Sequence, residues 1–247
     1  MVLVESPIVR PRIDQPSIMS NDAGGVSRPR VKDHRLTVVG VEDFTHWYRR
    51  VRFDSHGLFT KMDLLPGGYL LLNLGLGDRV VQRSYTIAGV EAEQLWIDFV
   101  DHEPPGPGCA WARAARPGLE LSVSQPSYVW RAPLVDDAVM VADPTATPAL
   151  NSLLGGLASS TRAKIVIVDG HCDREAIPHP SDVEVEWVER LDEDCLARAT
   201  HTMSPDDCYA WVAGSRTMVK TARDFFRTIF TLPRSAQHCQ TYWIAQS

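Results

Sequence analysis

The sequence predicts a β + α/β protein, an antiparallel β-barrel followed by a doubly wound parallel α/β domain. Three observations carry that expectation. Residues 35–125 hold short β-like runs divided by turn residues, residues 138–245 alternate such runs with helical stretches, and one Pro- and Gly-bounded helix interrupts the first set. A chain of 247 residues admits two modest domains. They are placed at 34–126 and 127–247, after an N-terminal arm of residues 1–33.

The arm carries Pro7, Pro11, Pro16 and Pro29 among Ser, Asn, Asp and Arg. It has no apolar h-region, so it reads as flexible and not as a secretory signal. The β pattern begins with "RLTVVGV" (35–41). In "HWYRRVRF" (46–53), Trp47, Arg49, Val51 and Phe53 share one face, with Arg49 breaking the apolar stripe. "YLLLNLGLGD" (69–78) follows Pro66-Gly67-Gly68, and "VVQRSYTIAGVE" (80–91) reads as the next short strand. "LWIDFVD" (95–101) and "LELSVSQ" (119–125) complete about six strands, a number suited to a small barrel. Between them "PPGPGCAWARAARPG" (104–118) is the helix: proline is tolerated in a first turn, and glycine after the last turn ends it.

"QPSYVWRAPLVDD" (125–137) reads as a linker. Beyond it "AVMVA" (138–142), "KIVIVD" (164–169), "VEVEWV" (183–188) and "YAWVAG" (209–214) are β-rich, with "YWIA" (242–245) a candidate fifth strand. "PALNSLLGGLASS" (148–160) is a helix weakened by Gly155 and Gly156. "SRTMVKTARDFFRTIF" (215–230) is stronger, with Met218, Val219, Ala222, Phe225, Phe226 and Ile229 as its apolar stripe. Asp192, Glu193 and Asp194 read as a solvated helix start. Strand and helix alternating in this way indicate a parallel sheet.

Forty-four per cent apolar and 23% charged residues suffice for a packed core. A net charge of −6 argues against nucleic acid and an anionic membrane surface as partners. Five scattered cysteines without a C-x-x-C pair suggest a reducing compartment, and no apolar run reaches the roughly 18 residues of a membrane span. These features place the protein in the cytoplasm.

Two motifs carry chemistry. In "RSYT", Arg83 and Tyr85 share a face, with Ser84 between them and Thr86 turning to the other side or the edge. That pairs a forked cation suited to phosphate with a ring on which a planar heterocycle can lie. An exposed arginine beside a packed tyrosine would give the same letters. "GPGCAW" opens a helix whose free N–H groups and positive dipole end suit pyrophosphate, although a plain capped helix start has the same composition.

"RSYTIA", "IDFVDHEPPGPGCAWARAARPGLEL", "VADPTATPAL", "YAWVAGS" and the closing "YWIA" occur in the order expected of the siderophore-interacting protein family, which the chain resembles over about residues 35 to 245. That family comprises bacterial flavoproteins related to ferredoxin reductases, many of which reduce ferric siderophores. The resemblance implies a flavin-type first domain, a nucleotide-type second domain, FAD as cofactor and NADH or NADPH as reductant. It implies that Arg83 and Ser84 hold flavin phosphate, that Tyr85 lies against the isoalloxazine, and that Thr86 bonds near its reactive nitrogen. Gly106, Pro107, Gly108, Cys109, Ala110 and Trp111 would form the pyrophosphate cradle, with His102 close by. Asp143, Thr145, Ala213, Gly214 and Ser215 would border the nicotinamide crevice, at the carboxyl ends of two parallel strands.

Several positions depart from the family pattern. Ala88 replaces a second arginine, Cys109 a serine, and Gln125-Pro126-Ser127 a Gly-Pro-Arg. Gly-Asp-Glu-Thr has become Ala142-Asp143-Pro144-Thr145, Ala-Gly-Glu has become Ala213-Gly214-Ser215, and Tyr-Trp-Arg has become Tyr242-Trp243-Ile244. A lost bond to a charged group costs about 1.5–3 kcal/mol, so the departures predict weakened or lost flavin binding. Two functions follow. One is a flavin-dependent oxidoreductase passing electrons to a small molecule. The alternative is a cofactor-degenerate member whose vacated cleft, helped by Tyr128 and Trp130, binds an apolar intermediate and cyclises it by orientation alone. Non-catalytic binding of a metabolite is a third. His171, Cys172 and His179 match no zinc spacing, and no G-x-S-x-G elbow or Walker loop occurs.

Overall fold

The computed structural model describes residues 33–43, 45, 47–61, 66–76, 79–124, 134–169 and 183–244. The N-terminal arm to residue 32, the expected domain boundary at 126/127, the Tyr128/Trp130 stretch and the His171, Cys172 and His179 group lie outside them.

The first half is one curled antiparallel sheet built from β1 (His34–Asp43), β2 (Tyr48–Asp54), β3 (Tyr69–Leu76), β4 (Arg79–Thr86), β5 (Gly89–Glu91), β6 (Gln94–Val100) and β7 (Glu120–Ser124). Its order is β4-β3-β7-β1-β2-β6-β5, so the expected barrel is a half-barrel with β4 and β5 as edges. The stretch 80–91 is two strands, because the chain turns a corner at Ile87-Ala88, where the Ala88 N–H donates to the Trp96 carbonyl. Alternation along the strands sends Leu36, Val51, Phe53, Leu70, Leu72, Ile97 and Phe99 into one core. Each such side chain contributes about 1.5–3 kcal/mol on burial.

Helix α1 (Pro107–Ala114) plugs that core with Ala112 and packs Trp111 on Phe53 and Phe99, at ring separations of 6.0 and 5.8 Å. Its proline stands in the first turn, as expected. Arg49 explains the break in the stripe of β2. Its guanidinium grips both Asp43 oxygens and donates to the Ala112 and Arg113 carbonyls, so a cation closes the C-terminal end of α1.

The second half is a parallel five-stranded sheet of β8 (Asp137–Ala142), β9 (Arg162–Val168), β10 (Glu184–Val188), β11 (Cys208–Ser215) and β12 (Gln237–Trp243), in the order β10-β9-β8-β11-β12. Helix α2 (Thr147–Leu154) covers one face, while α3 (Glu193–Thr200) and α4 (Arg216–Thr228) cover the other. The sheet is therefore doubly wound, as predicted. Helix α2 stops short of residue 160 because Gly155 caps it and Gly156 packs on Pro66. Asp192 caps α3 through the Cys195 N–H. In α4 the predicted stripe is buried except for Ile229, which follows the last helical turn and is exposed. The chain order reverses between β8 and β11, and this switch point opens a crevice at their carboxyl ends.

Candidate functional site

The crevice continues into a cleft of about 640 Å³ between the two sheets. One wall is β4 with the start of α1, and the other is the switch point with the last strand, β12. Two hydrogen bonds set the seam below it. The Tyr48 hydroxyl donates to the Pro144 carbonyl (2.8 Å), and the Gly67 N–H donates to the Ser152 hydroxyl (3.0 Å).

On the first wall, register places Arg83 and Tyr85 opposite Leu72 and Leu70, on the inner face of the curled sheet. Because β4 is an edge, that face opens to the cleft at Arg83. The guanidinium is exposed and donates to the carbonyl of its neighbour Gln82 (2.8 Å). Tyr85 is held on one side by Phe99, at a ring separation of 4.6 Å and a tilt of 39°. On the other side its hydroxyl abuts Gly108, where any Cβ would collide with it. Burial pushes this phenol up to about 12, so it stays neutral at physiological pH.

Helix α1 begins beside that ring. Its N-cap, Gly106, offers no side chain to the first-turn N–H groups, which are left for an anion. The Cys109 thiol donates to Asp101 (3.0 Å), and Arg113 donates to the same carboxylate oxygen (2.8 Å). These two donors hold the Asp101 carboxyl below the ordinary range, while burial pushes the Cys109 thiol up. Cysteine here keeps the donor that a serine would supply, and it ties the loop to the end of β6.

On the second wall Asp143 is 5% exposed and accepts four hydrogen bonds. The Thr145 N–H (3.0 Å) and hydroxyl (2.6 Å) bind one oxygen; the Ser215 N–H (2.7 Å) and the Trp243 indole N–H (2.8 Å) bind the other. Burial raises the carboxyl pKa and these donors oppose the rise. Gly214, at φ 144°, lies so close that a Cβ would strike the carboxylate. One buried acid thus joins the ends of β8, β11 and β12.

Of the expected site residues, Arg83, Ser84, Tyr85, Thr86, His102, Gly106, Pro107, Gly108, Cys109 and Thr145 meet at the cleft. Ala110 and Trp111 do not line it, and Trp111 is turned into the half-barrel core. Asp143, Ala213 and Gly214 are buried just behind the surface, with Ser215 joined to them. Sequence reasoning missed Asp98, which β6 brings to the cleft in a bidentate pair with Arg50 (2.7 and 2.8 Å). It also missed His238 and Gln240 on β12. No period in "HCQTYW" marks them, because this edge strand is not buried on alternate residues.

A half-barrel and a doubly wound sheet sharing a cleft at the switch point define the ferredoxin-reductase-like fold. The cytochrome b5 reductase domain of Ulva prolifera nitrate reductase has this fold, with a TM-score of 0.68 at 15% identity over 85% of this chain and 97% of that one. Closer in shape is the siderophore-interacting protein from Acinetobacter baumannii, with a TM-score of 0.75 at 21% identity over 89% of this chain and 92% of that one.

Family models described as siderophore-interacting FAD-binding domain and siderophore-interacting protein match residues 61–130 and 135–246. The chain belongs to the siderophore-interacting protein family. Ferric vibriobactin reductase ViuB of Vibrio cholerae is 29% identical over 71% of this chain and 72% of its own length. The mycobactin import ATP-binding/permease protein IrtA of Mycolicibacterium smegmatis is 31% identical over 86% of this chain, which spans 26% of that relative.

Proposed function

We propose that this chain is an FAD-dependent oxidoreductase that passes electrons from NADH or NADPH to a small iron chelate in the cytoplasm. The observation supporting it is the cleft itself: a forked cation, a neutral buried phenol and an uncapped helix start lie on one wall, facing a switch-point crevice. The residues present fit FAD. Arg83 and the first turn of α1 would bind its phosphates, Gly108 leaves room for the Tyr85 hydroxyl beside the helix start, and Tyr85 would support the ring with Thr86 at its edge. Asp143, through Ser215 and Trp243, would set the shape of the nicotinamide side. When bound, the flavin would supply the hydride-accepting and one-electron-donating chemistry, which no side chain of the cleft can provide, while those side chains bind and orient it. No helix of the described residues is long and apolar enough to cross a membrane.

Among the described lining residues Gln82, Arg83, His102 and Gln240 give the cleft polar groups that a purely apolar cyclisation pocket would not need; Tyr128 and Trp130 lie outside the described residues. The test is the visible spectrum of the purified protein with and without added FAD. A flavin spectrum bleached by NADH or NADPH is expected, and a colourless protein that ignores added FAD would overturn the reading. Arg83→Ala removes a side chain bonded only to its neighbour's carbonyl among the described contacts. It should weaken FAD binding about 10- to 150-fold, the equivalent of one lost charged hydrogen bond, and leave the unfolding midpoint unchanged.

A further inference from the structure

The charges around the cleft narrow the acceptor, given the flavin-dependent reading above. Among the described lining residues the fixed charges are Arg83 and Asp98, and Asp98 is neutralised by Arg50. Arg83 is the guanidinium assigned to flavin phosphate, which leaves no unpaired fixed cation on the described lining for a substrate. At the front of α1, one cation, Arg113, serves two carboxylates, Asp101 and Glu103. Burial lowers the His238 pKa from 6.5, so that imidazole is neutral at physiological pH. Asp143 stands behind the second wall, and the whole chain carries −6.

The rim has a different character. Tyr242 and Trp243 line the cleft with 39% and 43% of their surface exposed, and Ile244 follows with 55% exposed. Aromatic and aliphatic surface of this kind attracts the organic framework of a chelate and offers nothing to a multiple anion.

We propose that the acceptor taken by this cleft is a ferric chelate without net negative charge, of the trihydroxamate type, and that trianionic tris-catecholates are disfavoured. Local field and overall charge both repel a trianion. Such steering changes association by about 10- to 1,000-fold and is screened by salt. Discrimination should therefore be largest at low ionic strength.

Redox-inert gallium(III) chelates isolate this question from turnover. Calorimetry on the FAD-loaded protein would compare an uncharged gallium trihydroxamate with a trianionic gallium tris-catecholate. The uncharged chelate should bind at least about tenfold tighter at low salt, with the gap narrowing at about 0.5 M salt as the screening length falls to a few ångströms. Thr241→Lys places a cation on an exposed, cleft-lining position of β12. It should tighten the tris-catecholate by about tenfold and leave the uncharged chelate unchanged. Equal or tighter binding of the tris-catecholate by the natural protein at low salt overturns the inference, and so does binding of neither chelate. Both outcomes leave the flavin reading intact, which fails instead if FAD does not bind.

Discussion

Asp143 is the residue on which the second wall turns. Its carboxylate is an acceptor at every contact, serving three elements with four donors. Asparagine has the same shape but one of its two positions is itself a donor, so it must confront either the Thr145 pair or the Ser215 and Trp243 pair. Leaving a buried donor unsatisfied costs about 1–3 kcal/mol. Asp143→Asn should lower the unfolding free energy by that amount, read as a lower chemical-denaturation midpoint with an unchanged slope, while flavin phosphate binding on the opposite wall persists. An undiminished midpoint would show that the clasp is not holding the three strand ends. The pattern Asp-Pro-Thr was visible in the sequence, but its partner Trp243 lies 100 residues away and only the fold brings the indole to it.

At the scale of elements, α1 has its two ends put to different uses. The N-terminus is left without a side-chain cap beside the cleft, and the C-terminus is closed by Arg49 from β2. Arg49→Met keeps the aliphatic stem while removing the cation and its two carbonyl bonds. It should destabilise the protein by about 1 kcal/mol, measured as a midpoint shift, and weaken FAD only modestly because the free N–H groups remain. The central strands of the parallel sheet were legible as continuous apolar runs, because both their faces are buried, and α4 was legible from its apolar stripe. The edge strand β12 was legible only at its end. β12 runs from Gln237, well before the "YWIA" expected from apolar content, since its outer residues are exposed and no alternation is forced on them. Arg49 itself looked like an interruption because its reason lies in α1, across the sheet.

At the scale of the whole molecule, the site belongs to neither half alone. The first wall could be anticipated from contiguous motifs, whereas the second is assembled from the ends of β8, β11 and β12 and had to be seen folded. The seam holding the walls in register includes the Tyr48–Pro144 and Gly67–Ser152 hydrogen bonds. A Tyr48→Phe/Ser152→Ala double variant removes both donor–acceptor pairs while keeping nearly all packing. At about 0.5–1.5 kcal/mol per bond, the combined loss should reduce FAD affinity by roughly five- to 150-fold if it falls wholly on the assembled cleft. Circular dichroism of the two sheets should not change. An affinity equal to that of the natural protein would mean the halves are aligned by apolar contact alone.

The indole clamped by Asp143 has an optical consequence. Trp243 is one of seven tryptophans, fixed in orientation by its N–H bond and set in the wall across the cleft from Tyr85, the ring an isoalloxazine would lie against. Its emission would be drained by a yellow chromophore at such short range, so the protein carries a built-in lamp that dims as the chamber fills and brightens as it empties.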